Sequence, residues 1–296
     1  MQIVDTIVAL REARPKMRGT VGVVPTMGAL HDGHLSLVQH ARADNDFVIA
    51  TMFVNPTQFG PNEDLAAYPR DLPSDLKKLE MAGCDLVFTP APEVIYPPDY
   101  QTYITVEEVT QGLEGARRPG HFRGVATVVA KLFNLTQPDN AYFGQKDAQQ
   151  VVVIKQMTRD LNFPLRIIVC PTVREPDGLA MSSRNVYLKP EERRAATALS
   201  RALQAAAEVY AKGERHPEQI RQTARAVIEA EPLAQPDYIS AADARTLREL
   251  TIPTETPVLL SLTVKIGKPR LLDNCLLPFS LNTRAGLTTT LGGAVE

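Results

Sequence analysis

The sequence predicts an α/β protein: a doubly wound parallel sheet first, then a smaller α+β unit. Three observations carry this. Apolar runs of strand length alternate with stretches of helical period between residues 20 and 170, the pattern of βα units joined by right-handed crossovers. One run, Phe47-Val-Ile-Ala-Thr-Met-Phe-Val54, is almost continuously apolar, as befits a strand covered on both faces. The residues with chemistry to offer follow the strands, where ligands bind in such sheets.

In chain order, 20–25 reads as a buried strand and 34–43 as a helix with Leu35, Val38 and Ala41 on one face. The strand at 47–54 leads into a polar, Pro-containing loop over 55–70. A helix over 72–82 follows from the spacing of Leu72, Leu76 and Leu79, then a short strand at 85–89 and a Pro/Tyr-rich loop over 90–103. Residues 125–135 read as a helix stopped by Pro138, 140–143 as a strand ending at Gly144, 148–161 as a helix and 165–170 as a strand. The character changes near Thr172. An Ala-rich amphipathic helix is expected over 190–212, with Glu191 and Glu192 at its positive end, and a second over 216–230. Short strands are expected at 237–242, 258–266 and 268–273, the last two joined by a turn at Gly267. Residues 279–296 are Gly/Thr-rich, lack periodicity and read as a flexible tail.

Composition narrows the class. The chain has 296 residues and a formal charge of -2, which gives no general attraction to nucleic acid. Cys84, Cys170 and Cys275 are odd in number and widely spaced, which argues against a disulfide framework or zinc module and suits a reducing cytoplasm. No apolar run approaches the roughly 20 residues of a membrane span. The first residues, Met1-Gln-Ile-Val-Asp5, carry an early acid and no basic segment before an apolar core, so no signal peptide is expected.

The richest stretch is Val21-Gly-Val-Val-Pro-Thr-Met-Gly-Ala-Leu-His31-Asp-Gly-His34. Strand, tight turn and helix start present free backbone N–H groups and a helix dipole to a phosphate. His31 and His34, at i and i+3, face the same side and can donate to phosphate oxygens. They could also be ordinary capping histidines. A metal reading would need a third ligand, for which His121 is the conceivable donor without support from a cysteine or acidic cluster. Gly144-Gln145-Lys146-Asp147 again lies between a strand and a helix; it offers close backbone approach, a positive charge and an acid for a ribose hydroxyl or an N-cap. Met181-Ser182-Ser183-Arg184-Asn185 reads either as a phosphate clamp in a mobile loop or as a polar linker. Asn55, Gln58, Gln149 and Gln150 are amides at strand ends, suited to a small polar substrate because a buried amide must find partners. Arg117-Arg118-Pro-Gly-His121-Phe-Arg123-Gly reads as a basic loop for anions or as a solvated one.

Together the His-x-Gly-His and Met-Ser-Ser-Arg segments fall in the order of the two nucleotidyltransferase signatures, the second a variant of the Lys-Met-Ser-Lys-Ser loop. Five motifs in order, PTMGALHDGH, FVNPTQF, RPGHFRGV, FGQKD-x-QQ and MSSRN, resemble those of the pantoate–β-alanine ligases, the pantothenate synthetase family, over about residues 1 to 278. The resemblance implies a Rossmann-like nucleotide- and pantoate-binding domain over 1–173 and an α+β lid over 174–278. It implies an ATP-dependent condensation of (R)-pantoate with β-alanine through a pantoyl adenylate, releasing AMP and diphosphate. By position, Met27, Gly28, Ala29, Leu30, His31, Asp32, Gly33 and His34 would contact ATP, with His34 the proton donor. Gly144, Gln145, Lys146, Asp147, Val173, Met181, Ser182, Ser183 and Arg184 would complete the ATP site. His31, His34, Lys146, Ser182, Ser183 and Arg184 are the groups expected to stabilise the departing diphosphate, with His31, His34, Lys146 and Arg184 taken as catalytic. Gln58 and Gln150 would hold pantoate, and Gln58 would touch β-alanine; Asn55, Tyr68, Arg118 and His121 would form supporting walls. Mg²⁺ is expected with ATP, with Asp75 its candidate protein ligand. A homodimer involving 105–113 is expected as well. Gln145 and Ala148 depart from the pattern, where an acid and an aromatic are common. An enzyme that retains the nucleotide in its product is the alternative reading, separated from the ligase by AMP release and β-alanine consumption.

Overall fold

The structure, a computed structural model, describes residues 1–61 and 63–278; the tail expected over 279–296 lies outside them. The described residues form two units, one of Met1–Gly144 with Gln150–Cys170 and one of Gln145–Gln149 with residues 171–278.

The first unit is built on a parallel sheet. Its elements run β1 (Gln2–Val4), α1 (Ile7–Ala13), β2 (Val21–Thr26), α2 (Asp32–Asp44), β3 (Phe47–Met52), α3 (Leu72–Met81), β4 (Leu86–Phe88), α4 (Pro92–Ile95), α5 (Leu113–Arg117), α6 (His121–Thr136), β5 (Asn140–Gly144), α7 (Ala148–Asp160) and β6 (Arg166–Cys170). The strand order is β1-β4-β3-β2-β5-β6, all neighbours parallel. The chain steps outward from β2 to β4 on one side and from β5 to β6 on the other. The switch point therefore lies at β2 and β5, where a doubly wound sheet opens a crevice. Val48, Ile49 and Ala50 of β3 are wholly buried, which is why that strand shows no polar alternation. At the far end of these strands, Asn45 caps α2; its amide donates to Ala41 O and to the Tyr142 hydroxyl, at 2.8 and 2.7 Å. Asn140 donates to Asn45 in turn, at 2.7 Å, so a buried polar network ties the C-terminus of α2 to β5.

The second unit carries α8 (Pro190–Ala195), α9 (Ala198–Ala211), α10 (Pro217–Glu229) and an antiparallel sheet of β7 (Ala234–Asp243), β8 (Val258–Ile266) and β9 (Arg270–Leu277) in that order. Small residues of α9 (Ala198, Ala202, Ala206, Ala207) let it pack in one cluster with Ile220, Ala224 and Ile228 of α10 and the inner face of β8. A buried bidentate pair, Arg174 with Asp273 at 2.6 and 2.9 Å, joins the segment after β6 to β9.

Several expectations are corrected. β1 and α1 carry no pattern long enough to read, since β1 has three residues. The loop over 90–103 contains α4. The helix expected from 125 begins at His121, directly after Gly120, which holds φ 83°; the Pro-Gly pair and three arginines masked its first turn. The segment 105–113 holds a 3-10 turn at Glu108–Thr110 and reaches the start of α5. The single helix expected over 190–212 divides at Ala196 and Thr197. There Thr197 N–H and its hydroxyl both reach back to Arg194 O, at 3.2 and 2.8 Å, the local competition with helical bonding that threonine brings. The last strand runs to Leu277 rather than 273.

Candidate active site

Three strand ends of the first unit carry the residues singled out above. The register sets Thr26 against Met52 of β3 and Val23 against Ala141 of β5; carried forward, it puts Gly144 level with Thr26. Residues 27–34, 55–58 and Gly144 leave from these neighbouring carboxyl ends. A Cβ built on Gly144 would meet nothing within 4 Å, so close approach there is open to a group from outside the chain.

The turn from β2 to α2 is tightly determined. Gly28 and Ala29 both lie in the left-handed region, at φ 80° and 51°; for alanine this costs on the order of 1 kcal/mol. Thr26 Oγ1 accepts from Gly28 N–H at 3.3 Å. The buried Asp75 carboxylate, from the first turns of α3, accepts Ala29 N–H at 2.7 Å and Leu30 N–H at 2.9 Å. Lys78 Nζ donates to Leu30 O at 2.7 Å. His31 is the N-cap of α2: its Nδ1 accepts from Gly33 N–H at 3.2 Å, while His34 Nδ1 accepts from His31 N–H at 3.4 Å. A capping box, usually made by a hydroxyl and a carboxyl, is here made by two imidazoles whose centroids lie 4.1 Å apart. A ring nitrogen that accepts carries no proton, so the hydrogen-bond network assigns both neutral rings as Nε2–H tautomers.

This corrects one expectation. The N–H groups of Gly28, Ala29, Leu30, His31 and Gly33 all have acceptors within the chain. With Nδ1 of each ring turned to the backbone, the protons of the two imidazoles sit on Nε2, at the positive end of the α2 dipole. Both oxygens of Asp75, the residue expected at a metal site, accept backbone N–H groups. Among the described residues no group of three His, Cys, Asp or Glu is placed to hold a metal ion.

Beside it, Asn55, Pro56, Thr57 and Gln58 follow β3. Asn55, 1% exposed, donates to Gln58 Oε1 and to Gly124 O, both at 3.1 Å. Gln58 Nε2 lies 3.0 Å from the Met27 sulfur. Its backbone carbonyl is held from α6: His121 Nδ1 lies 2.8 Å away. Arg118 donates to His121 Nε2 at 3.1 Å, so His121 is the Nδ1–H tautomer and gives that proton to Gln58 O. Burial, then the Arg118 charge, push the His121 pKa down to about 4. Arg118 also grips Glu63 through two bonds of 2.7 and 2.6 Å; burial raises Glu63, but those bonds and the guanidinium charge outweigh it and hold its pKa below the usual value. The basic loop of the sequence is thus partly internal: Arg118 is an ion-pair partner, and Arg123 stacks 3.8 Å from the Tyr103 ring. Tyr68 is buried, its ring edge-on to Phe59. Gln150 sits half-buried on the first turn of α7.

Two positioning residues escaped sequence reasoning. A Cβ at Gly124 would lie 2.4 Å from Thr57 O and 2.7 Å from Gln58 N, so this glycine lets the Gln58 backbone rest directly on α6. Glu63 fixes Arg118 from a loop that offered no motif. The glycine of RPGHFRGV was the available signal.

In the second unit, Gln145–Asp147 form a 3-10 turn. Gln145 is buried and its amide donates to Asn274 Oδ1 at 2.9 Å, while Asn274 Nδ2 donates to the carbonyls of Gln145 and Lys146 at 3.2 and 2.7 Å. Lys146 Nζ lies 3.5 Å from Asp147 and is the cation of this turn. Val173 and Met181 are joined by a 3.0 Å bond across a tight hairpin, closed by Glu175 N–H to Leu179 O at 2.8 Å. Ser182 Oγ accepts from Arg184 N–H at 3.3 Å and caps the 3-10 turn Ser183–Tyr187. Asn185 ties that turn to Ala180 O at 3.2 Å. The segment read as a loop forms a hydrogen-bonded 3-10 turn that carries Ser183 and Arg184, with Ser182 as its cap.

A doubly wound parallel sheet with an imidazole-capped helix at its switch point, and a Met-Ser-Ser-Arg turn in a second unit, defines a nucleotide-dependent α/β enzyme. The model of the family described as pantoate-beta-alanine ligase matches residues 2–276, and the chain belongs to that family. It is 62% identical over 277 residues to the pantothenate synthetase of Roseiflexus sp. (strain RS-1), covering 94% of this chain and 99% of that one. It is 52% identical over 277 residues to that of Acetivibrio thermocellus, covering 93% of this chain and 98% of the other. Among solved structures, pantothenate synthetase from Thermus thermophilus superposes with a TM-score of 0.89 at 48% identity, over 93% of this chain and 98% of that one. Pantoate-beta-alanine ligase from Francisella tularensis, complexed with beta-gamma ATP and beta-alanine, gives a TM-score of 0.76 at 37% identity, over 93% and 97% of the chains.

Proposed function

We propose that this ligase joins (R)-pantoate to β-alanine in two steps, with the residues above in specific roles. A pantoate carboxylate oxygen attacks the α-phosphorus of ATP; the bond to the bridging oxygen breaks and diphosphate leaves. The neutral amine of β-alanine then attacks the acyl carbon, AMP leaves with its oxygen, and the amine proton passes to solvent. Activation is needed because a free carboxylate is a poor acyl donor. The first step loads negative charge onto the leaving diphosphate, and donors already oriented where charge develops give the largest single gain.

ATP is assigned to Met27, Gly28, Ala29, Leu30, His31, Asp32, Gly33 and His34 in the first unit. In the second it is assigned to Gln145, Lys146, Asp147, Val173, Met181, Ser182, Ser183 and Arg184, with Gly144 leading into that turn. His31 and His34 act as neutral Nε2–H donors, and Lys146 and Arg184 supply charge. Gln58 and Gln150 hold pantoate, and Gln58 orients β-alanine. The observation that carries this reading is the imidazole pair capping α2 at the switch point, with Nδ1 of each ring turned to the backbone. Mg²⁺ enters with ATP, held by phosphate oxygens and water, as this ion readily is; among the described residues no group of three His, Cys, Asp or Glu is placed to cage it. The segment from 105 to 113 is assigned to a homodimer interface. The free, buried cysteines suit a reducing cytoplasm, and no helix of the described residues is long and apolar enough to cross a membrane.

The test is exchange of labelled pyrophosphate into ATP. Pantoate alone should support it, with AMP release once β-alanine is added. Exchange that requires β-alanine, or never occurs, would remove the adenylate. His34→Ala should lower the exchange rate roughly 100- to 1000-fold with folding intact; a fully active, folded variant would remove His34 from its role.

A further inference from the structure

We propose that Asp75, together with Lys78, is a positioning residue for adenylation: it clamps the turn that aims His31 and His34, and it is not a magnesium ligand. The inference rests on the catalytic reading above and deepens it.

Three observations converge on it. The turn runs through two successive left-handed residues, of which only Gly28 adopts that conformation without strain; Ala29 at φ 51° must be held there. Asp75 supplies the hold: its two oxygens take two successive N–H groups, those of Ala29 and Leu30, at 2.7 and 2.9 Å. The carbonyl of Leu30 is bound at 2.7 Å by Lys78, one helical turn further along α3. Leu30, 3% exposed, is thus gripped on both sides of its backbone by one helix, and His31 follows directly as the N-cap. A Cβ on Gly28 would lie 3.2 Å from Asp75 Oδ2, so the turn rests against the carboxylate itself.

The same contacts speak against a metal. A buried carboxylate needs compensation. Asp75 is 2% exposed and has it already in two N–H dipoles and in the Lys78 ammonium 3.8 Å away. A dication bound to these oxygens would face all three positive groups at once.

The roles separate in Asp75→Asn and Lys78→Met variants of the full chain. Asparagine keeps the shape but turns an NH₂ group toward one of the two backbone N–H donors. Hydrogen exchange without substrate, followed by mass spectrometry on peptides covering 27–35, should show lost protection in D75N, with other peptides unchanged. The rate of pantoate-dependent pyrophosphate exchange should fall about 10- to 100-fold, as small misplacements of catalytic groups do. The Mg²⁺ concentration for half-maximal activity should stay within about twofold of wild type, whereas loss of a ligand shifts it by roughly tenfold or more. If D75N does not fold, K78M decides. A clamp predicts slower exchange at unchanged Mg²⁺ requirement. A metal ligand, relieved of a neighbouring cation, predicts a lower requirement. A shifted Mg²⁺ requirement in either variant, or D75N with intact protection over 27–35, overturns the proposal. A wild-type protein without any pyrophosphate exchange would instead remove the catalytic reading, while the protection measurement, made without substrate, would still report on the clamp.

Discussion

His121 shows how packing chooses a protonation state. Its ring is buried between an arginine donor and a backbone acceptor, and the arginine contact requires the neutral form, because Nε2 must accept. Its pKa falls from 6.5 to about 4. The sign follows from proton counting. Between those two values the unfolded chain binds a proton that the folded chain refuses, so stability is complete above pH 6.5 and is lost as pH falls toward 4. Glu63, held below its usual value by Arg118, loses stability on the same acid side. His121→Gln should therefore flatten the acid limb. Denaturant unfolding at pH 7 and pH 5 should show the wild type losing about 2 kcal/mol more than the variant across that interval. Equal losses would mean that His121 titrates normally. The sequence disclosed a histidine among arginines but not the direction of its protons, because a tautomer is set by partners far along the chain: Gln58 O is 63 residues away. His31 and His34 were more legible, since their partners lie within three residues.

At the scale of elements, the contact between the turn 56–58 and α6 decides where the proposed substrate amide stands. Gly124 makes that contact possible by having no side chain. Gly124→Ala would push the Thr57 carbonyl away, at a packing cost typically of about 1–3 kcal/mol, that of any overfilled core position. The pantoate concentration for half-maximal exchange should rise by about tenfold or more, with the ATP requirement unchanged. A variant with unaltered pantoate dependence would separate Gln58 from that substrate. The parallel sheet was readable because β3 and its neighbours announce burial through unbroken apolar runs. The start of α6 was not, because arginines and a Pro-Gly pair look like a loop whether or not a helix begins on the next residue. Nor was the division between α8 and α9, where one threonine hydroxyl competes for a carbonyl inside an otherwise continuous helical pattern.

At the scale of the molecule, the change of composition near Thr172 falls next to Pro171, where the chain last enters the second unit, but nothing in composition marks the earlier excursion of Gln145–Gln149. The buried pair that secures the second part was not legible either, since Arg174 and Asp273 lie 99 residues apart. Arg174 and Asp273 side chains are 7% and 1% exposed, so Asp273→Ala would strand a guanidinium in the interior, a change that costs about 3–5 kcal/mol in comparable cases. Hydrogen exchange should show it as lost protection across 171–278; a variant as protected as wild type would mean the pair is dispensable.

The segment Gln145–Gln149 belongs to the second unit although the chain on either side of it belongs to the first. The polypeptide is therefore laced rather than strung: cutting once, after Cys170, does not yield two complete pieces. Ala148 is buried in a cluster with Ala244, Leu259 and Leu276, and Gln145 with Asn274 forms a reciprocal amide pair. A chimera of two relatives spliced at residue 170 would inherit its turn from one parent and the socket for that turn from the other. Residues 145 and 274, distant in the chain, would have to be exchanged together for the amide pair to survive.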